Sequence, residues 1–370
     1  MGNKSATLGI KLDTPALVAG SPMSGRVFLF VKKEVDCATL QITFKGQEYS
    51  HVHWTTTRTV GSGDNRRTET VHHHAYARRN LVHVDIPLAT FPQGKVSPGR
   101  YEFPFHTILP KNLPTSMCAH GGGGDCSINY FFRARLHRPG WLKWDVKAKA
   151  SVLVSAEPVP MKKYPAFVPP STTRVKFCCC VNKGTMSLGS TVDDTVLARG
   201  QNISVGVAAK NDSTVDVKAV RVTVTEIVSW TAAGHWNQSH RCIGKAVIPP
   251  EQVAGIQKLA SKAKVSPADA SNTNRILFNT LNEGKQRTAL SIAPNARDTY
   301  YGSVIWSKHH LTVKMSTPCC VTNPTNTVII RVCPQVAMAQ SASEPVPVVV
   351  AMPVAAKLDK EEKQSLKELP

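Results

Sequence analysis

The sequence predicts an all-β protein, two tandem β-sandwiches followed by a flexible C-terminal tail. Three observations carry that expectation. Apolar and polar residues alternate with period two in segment after segment; Gly, Pro, Asn and Asp clusters separate these segments; and amphipathic helix is scarce outside roughly residues 251–264 and the tail. Alternation with one apolar face is the mark of antiparallel sheets packed on a core from one side.

Taken in order, "ATLQITFKG" places Leu40, Ile42 and Phe44 toward a core and Gln41, Thr43 and Lys45 outward. "WDVKAKASVLV" closes the same half of the chain with a similar rhythm. "AEPVPMKKYPAFVPPST", residues 156–172, then brings five prolines, which have no amide donor for a sheet ladder. "QNISVGVAAK", "KAVRVTVTE" and "HLTVKMST" resume the alternation, with Val220, Val222 and Val224 inward against Arg221, Thr223 and Thr225. Past Cys333 the pattern gives way to Pro, Ala and Ser. The expected organisation is a sandwich over residues 7–157, a Pro-rich linker over 158–170, a second sandwich over 171–335 and a tail over 336–370. Residues 55–74, "TTTRTVGSGDNRRTETVHHH", and roughly 246–287 read as long loops.

Composition narrows the function classes. The 370 residues are 42% hydrophobic and carry a formal net charge of +20. Residues 1–170 hold 22 Lys and Arg against 11 Asp and Glu, and residues 171–335 hold 19 against 9, so the excess lies in both halves and not in the tail. Such a field suits anionic membrane surfaces, phosphorylated peptides or nucleic acid. No apolar run approaches the roughly 18 residues of a spanning helix, and "MGNKSATLGIKL" lacks the apolar stretch of a signal peptide. The chain is therefore expected to be cytosolic, with its ten cysteines reduced.

The order of segments resembles the arrestin family, and within it the α-arrestin (arrestin-domain-containing) branch. "AGSPMSGRVFLFVKKEVDCATLQITFKGQEYSHVHW", "SPGRYEFPFHTILPKNLPTSM" and "SINYFFRARLHRPGWLKWDVKAKASVLV" are similar to its N-terminal half. "VKFCCCVNKGTMSLGSTVDDTVLARGQNISVGVAAKNDSTVDVKAVRVTVTE", "HHLTVKMST" and "NTVIIRVC" are similar to its C-terminal half. The resemblance implies two curved, immunoglobulin-like sandwiches and a non-enzymatic adaptor. Such an adaptor binds cytoplasmic tails of membrane proteins at the plasma membrane or endosomes and links them to endocytic sorting. It implies phosphate contacts at the nearest matching lysines, Lys11, Lys147 and Lys149. Recruitment of a ubiquitin ligase by that branch uses P-P-x-Y motifs, and none occurs here. A retromer-like coat subunit of the same fold is the alternative. A basic nucleic-acid-binding protein is a further one, disfavoured because no stacking motif or recognition module accompanies the charge.

Individual clusters read more plainly. Cys178, Cys179 and Cys180 alternate across a strand, so they cannot converge on one tetrahedral ion, and burial by ordinary packing outweighs metal binding or acylation. Cys178 and Cys180 could share an ion only if Cys319 and Cys320 lay alongside. His51 and His53 share a strand face and approach His72 or His74 if the two segments form a hairpin; with no carboxylate or cysteine at useful spacing, exposed independent histidines are expected. "HGGGGDCS", residues 120–127, reads as a flexible loop. No G-x-S-x-G, H-E-x-x-H or paired-carboxylate motif occurs, so no catalytic residue, metal ligand or cofactor is expected. Gly2 is a candidate lipidation site, although the myristoylation pattern wants Ser or Thr at position six, where Ala6 stands.

Overall fold

A computed structural model of the chain describes residues 5–14, 16–140, 143–158, 163–178, 180–253, 255–256, 286–318 and 320–334. The strands of the first half are β1 (Ala6–Leu12), β2 (Ala16–Val18), β3 (Pro22–Val31), β4 (Val35–Asp36), β5 (Thr39–Val60), β6 (Arg67–Thr90), β7 (Lys95–Val96), β8 (Gly99–Ile108), β9 (Met117–Gly121), β10 (Gly124–His137) and β11 (Val146–Ser155). Those of the second are β12 (Ala166–Phe177), β13 (Val181–Val192), β14 (Val196–Ala198), β15 (Asn202–Ser213), β16 (Ala219–Ala232), β17 (His235–Ile248), β18 (Arg287–Ser291), β19 (Tyr300–Tyr301), β20 (Ile305–Ser316) and β21 (Thr325–Cys333). Among the described residues strand makes up 71% and helix 2%. This is the all-β sandwich fold that the alternation called for, and it is consistent with the arrestin-type arrangement that the resemblance implies.

In the first half, a three-stranded sheet β1-β3-β8 faces a six-stranded sheet ordered β2-β11-β10-β5-β6 with β9 attached to β10. In the second, β12-β13-β15-β18 faces β14-β21-β20-β16-β17 with β19 attached to β20. Each half ends on a strand joined in parallel by a short early one, β2 beside β11 and β14 beside β21, so the two halves share one plan. The inward positions are the ones the period-two reading picked: Leu40, Ile42 and Phe44, and Val220, Val222 and Val224, are all buried. Phe44 packs against Phe132 and Tyr130 with ring centroids 4.9 and 5.9 Å apart, giving the first core an aromatic centre. Aliphatic side chains fill the second core, among them Val205, Val207, Leu311, Val313 and Ile330.

Four expectations change. Residues 55–74 are not a loop: β5 and β6 stay paired out to Val60 opposite Arg67, forming a long projecting arm. Its Thr-rich strands have strong β propensity but no buried face, so no apolar alternation announced them. Second, the Pro-rich linker is shorter than 158–170, because β12 begins at Ala166. Pro169 and Pro170 sit where the β12–β13 ladder skips from Val168 to Ser171, so no ladder bond needs their missing amides. Third, the glycine run is the tight turn between β9 and β10. Fourth, Cys178 and Cys180 are exposed. A further register shift between Arg174 and Lys176 ends the alternation, and the strand stops at Phe177 with Cys178 in a left-handed conformation, φ 43°. Of the helix expected over 251–264 only the start is described, and it holds a 3-10 turn, Pro250–Gln252; residue 254 and residues 257–285, like the tail from 335 on, lie outside the described residues.

The two sandwiches share material. Val228, Trp230 and Ala232 on β16, with Val304 and Ile305, belong to the core of the first sandwich although their strands belong to the second. Trp230 is fully buried and its indole N–H donates to the His51 carbonyl at 2.9 Å. Trp230→Ala is expected to cost roughly 3–5 kcal/mol through the void it leaves, measured calorimetrically as a lowered unfolding midpoint that involves the first sandwich as well as the second.

Candidate functional site

The outward face of the six-stranded sheet collects cations because three strands, β11, β10 and β5, present alternate residues in register. On β11, Lys147 and Lys149 are exposed and stand opposite Arg135 and Arg133 of β10. Arg135, Arg133 and Phe131 in turn oppose Gln41, Thr43 and Lys45 of β5. The Lys149 ammonium lies 4.1 Å from the centroid of the Phe131 ring, a cation–π contact that fixes the side chain along the sheet.

The acids near this face are already occupied. Asp145 accepts from the Arg135 guanidinium at 2.6 Å and from the Arg138 amide at 3.0 Å. Burial alone would raise the Asp145 carboxyl, but the Arg138 amide and the Arg135 guanidinium outweigh it and hold it below the ordinary carboxylate range. Asp85 accepts from the Thr43 hydroxyl at 2.6 Å, and that bond, against burial and with His83 beside it, keeps its carboxyl low. Lys45, Arg133, Lys147 and Lys149 have no ion pair with an acid among the described residues. They are cations available to an outside partner.

Lys11 is placed differently. It is exposed on β1 opposite Arg26, and since Ala6 and Leu8 of that strand face the core, it points outward from the three-stranded sheet. The fold therefore groups Lys147 and Lys149 and puts Lys11 on the other outward layer. Gly2 lies outside the described residues. The two cysteine-bearing turns do lie alongside each other: the Cys178 amide donates to the Cys320 carbonyl at 2.9 Å. Even so, among the described residues no three His, Cys, Asp or Glu side chains converge to hold a metal ion.

A second polar region, which reading along the chain missed, joins the sandwiches. Glu48 on β5 is fully buried and accepts from the Tyr300 hydroxyl at 2.7 Å and from the Ser303 and Val304 amides at 3.2 Å each. A side chain at Gly302 would run into its carboxylate, so the loop can approach Glu48 only as glycine. Glu226 on β16, also fully buried, accepts from Arg241 at 3.1 Å and from the Arg297 amide at 2.6 Å, while Arg297 donates across the junction to the Cys118 carbonyl at 2.8 Å. Asp298 takes a two-pronged contact from Arg199, 2.8 Å at each oxygen, and a hydrogen bond from the Thr115 hydroxyl of the first sandwich. Thr115, Arg199, Arg241, Arg297, Asp298 and Tyr300 line a cleft of about 790 Å³ between the halves, with the buried Glu48 and Glu226 behind its wall. Its signal in the sequence was faint, since the partners are separated by up to 256 positions.

The comparisons with known proteins agree with this architecture. Residues 8–157 match the family described as "Arrestin (or S-antigen), N-terminal domain". The chain is 25% identical over 259 residues to Arrestin domain-containing protein A of Dictyostelium discoideum, a match covering 67% of this chain and 41% of that protein. The chain thus spans less than half the length of that relative. Among the described residues no helix is long and apolar enough to cross a membrane.

The junction yields a pH dependence. Burial would raise the Glu226 carboxyl, but His309, the Arg297 amide and the Arg241 guanidinium together hold it at about 2, against an ordinary 4.5. Because the folded carboxyl is the more acidic, the stabilisation is complete above pH 4.5 and is lost as the pH falls toward 2. It amounts to something on the order of 3 kcal/mol. Glu226→Gln is expected to lower stability at neutral pH and to flatten acid unfolding in that window, followed by circular dichroism during acid titration. The match of residues 8–157 to the arrestin N-terminal domain and the similarity to an arrestin domain-containing protein support the arrestin family, on its α-arrestin-like branch, and the second sandwich repeats the plan of the first.

Proposed function

We propose that the chain is a non-enzymatic adaptor that binds acidic or phosphorylated cytoplasmic tails of membrane proteins and links them to endocytic or endosomal sorting. Members of the arrestin family act generally as adaptors, and that general role is this chain's as well. The observation that carries the finer reading is the outward sheet face on which Lys147, Lys149, Arg133 and Lys45 stand together while Asp145 and Asp85 are already engaged. Lysine and arginine bind phosphate by charge-assisted hydrogen bonds, and an extended peptide laid across β11 and β10 meets a cation at every second residue.

The same face suits an anionic membrane surface, which would bring the adaptor to the plasma membrane or endosome where its cargo sits. Ubiquitination of cargo remains part of the reading, through a route other than P-P-x-Y recruitment. Lys11, on the opposite layer, joins only if the tail wraps the edge of the sandwich.

The test is fluorescence polarisation with acidic tail peptides in phosphorylated and unphosphorylated forms. Lys147→Glu with Lys149→Glu is expected to weaken the phosphorylated peptide at least roughly tenfold, the loss of one or more charge-assisted contacts. Lys11→Glu is expected to do less. Equal binding of both peptide forms, or no response to the double reversal, would overturn this assignment.

A further inference from the structure

The root of the β5–β6 arm carries a constellation of histidines that the adaptor reading does not use. β5 supplies His51-x-His53 and β6 supplies His72-x-His74, and the register sets His53 opposite His74 and His51 opposite Tyr76. All four imidazoles consequently stand on one face of the hairpin. His51 Nε2 lies 3.0 Å from His74 Nδ1, and His53 Nε2 lies 3.1 Å from His72 Nδ1. His74 also packs on His53, with ring centroids 4.7 Å apart. His51 and His53 are half-buried, and His72 and His74 are exposed.

Asp125 of β10 decides which nitrogen is free. Its carboxylate lies 3.1 Å from His51 Nδ1, so Nδ1 carries the proton and Nε2 presents its lone pair toward His74. A carboxylate behind a ring N–H is the arrangement that orients and strengthens a histidine ligand for a metal ion. Each close pair is bridged by a single proton, since two neutral imidazoles 3 Å apart can share one N–H and no more.

We propose that this face is a binding site for a divalent transition-metal ion of borderline softness, with Zn2+ the reference ion, held by His51, His53 and His74, with His72 beside them. Two histidines one residue apart on a strand and a third on the neighbouring strand supply three imidazole donors from a rigid backbone, the donor set of an open zinc site. The exchange balances without net proton release: the ion takes a lone pair from each neutral imidazole, and His74 passes from its Nδ1–H to its Nε2–H tautomer, which turns the Nδ1 lone pair toward the site in place of the hydrogen bond to His51. The rings must turn about χ2 to converge, since among the described residues no three donors do so already. Water completes the shell. The groups around the site are Asp125 on β10, Tyr49 and Tyr76 beside the rings, Arg78 over Tyr49, and, behind the hairpin, His73 and the second sandwich's His235 stacked on Trp54. Trp54 and His235 tie this arm root to the other half of the molecule, so an ion here would stiffen the base of the arm.

Isothermal titration of the full chain with Zn2+ at pH 7.5, in two buffers of different ionisation enthalpy, tests the proposal. A quadruple variant, His51→Gln, His53→Gln, His72→Gln and His74→Gln, serves as the reference, so that zinc taken up by the thiols cancels. The wild type is expected to bind one equivalent of Zn2+ that the variant lacks, with a heat for that equivalent that is the same in both buffers, and to bind more weakly at pH 6. Asp125→Asn is expected to weaken that equivalent roughly tenfold or more by releasing the His51 tautomer. If the quadruple variant loses its fold, His53→Gln and His74→Gln singly, with circular dichroism as the control for folding, make the same comparison. Equal zinc uptake by wild type and the folded variants, or an equivalent that releases about one proton per ion as a thiol ligand does, would overturn the site.

Discussion

Trp230 leaves the second sandwich and ends in the core of the first, its indole N–H on the His51 carbonyl at 2.9 Å. Almost every other feature of the junction follows from fitting that side chain. The glycine turn between β9 and β10 lets backbone and indole meet, because a Cβ at Gly121 would lie 2.9 Å from the Trp230 ring. Ser50 donates to the Thr231 carbonyl at 2.6 Å, and Glu48 gathers the Tyr300 hydroxyl and the two amides of the neighbouring loop. A buried carboxylate with three donors is tolerable where an unpaired one would cost several kcal/mol. The apolar contact brings the halves together, and the polar groups around it fix their register.

The net charge of +20 divides into two populations with different work. Arg199, Arg241 and Arg297 are held against Asp298 and Glu226 in and around the cleft, where they are structural counter-ions rather than a field for ligands. Lys45, Arg133, Lys147 and Lys149 stand on an open sheet face without such partners. Counting charges along the chain could not separate the two, because an arginine within hydrogen-bond reach of a buried acid looks the same in sequence as one facing solvent.

Period-two alternation reported faithfully on segments with one buried face, and Leu40, Ile42, Phe44, Val220, Val222 and Val224 stand where it put them. It failed where that condition fails. Arm residues 55–60 and 67–74 are mostly exposed on both sides, so β-branched threonines paired without leaving an apolar rhythm. It failed again at Cys178, where a register shift and the end of β12 released the thiol to the surface. The approach of His51 and His53 to His72 and His74 was legible, conditional on a hairpin, and the hairpin is there. The shared face of Lys45 with Lys147 was not, since it depends on strand order β11-β10-β5, and order comes from tertiary packing.

One consequence of the arm reaches beyond binding. Among the described residues β6 pairs with β5 along one side only, and its 24 residues leave a long row of backbone donors and acceptors at the rim of the sheet. Such a rim is a template for another copy of itself, and proteins blunt it with charge. Here the blunting falls to Arg67, Glu69, Arg78 and Arg79. Colloidal behaviour is thus coupled to ligand chemistry: a polyanion lying over the arm would remove the repulsion that keeps two rims apart, and crowding this protein onto an anionic surface would favour its self-assembly into ribbons.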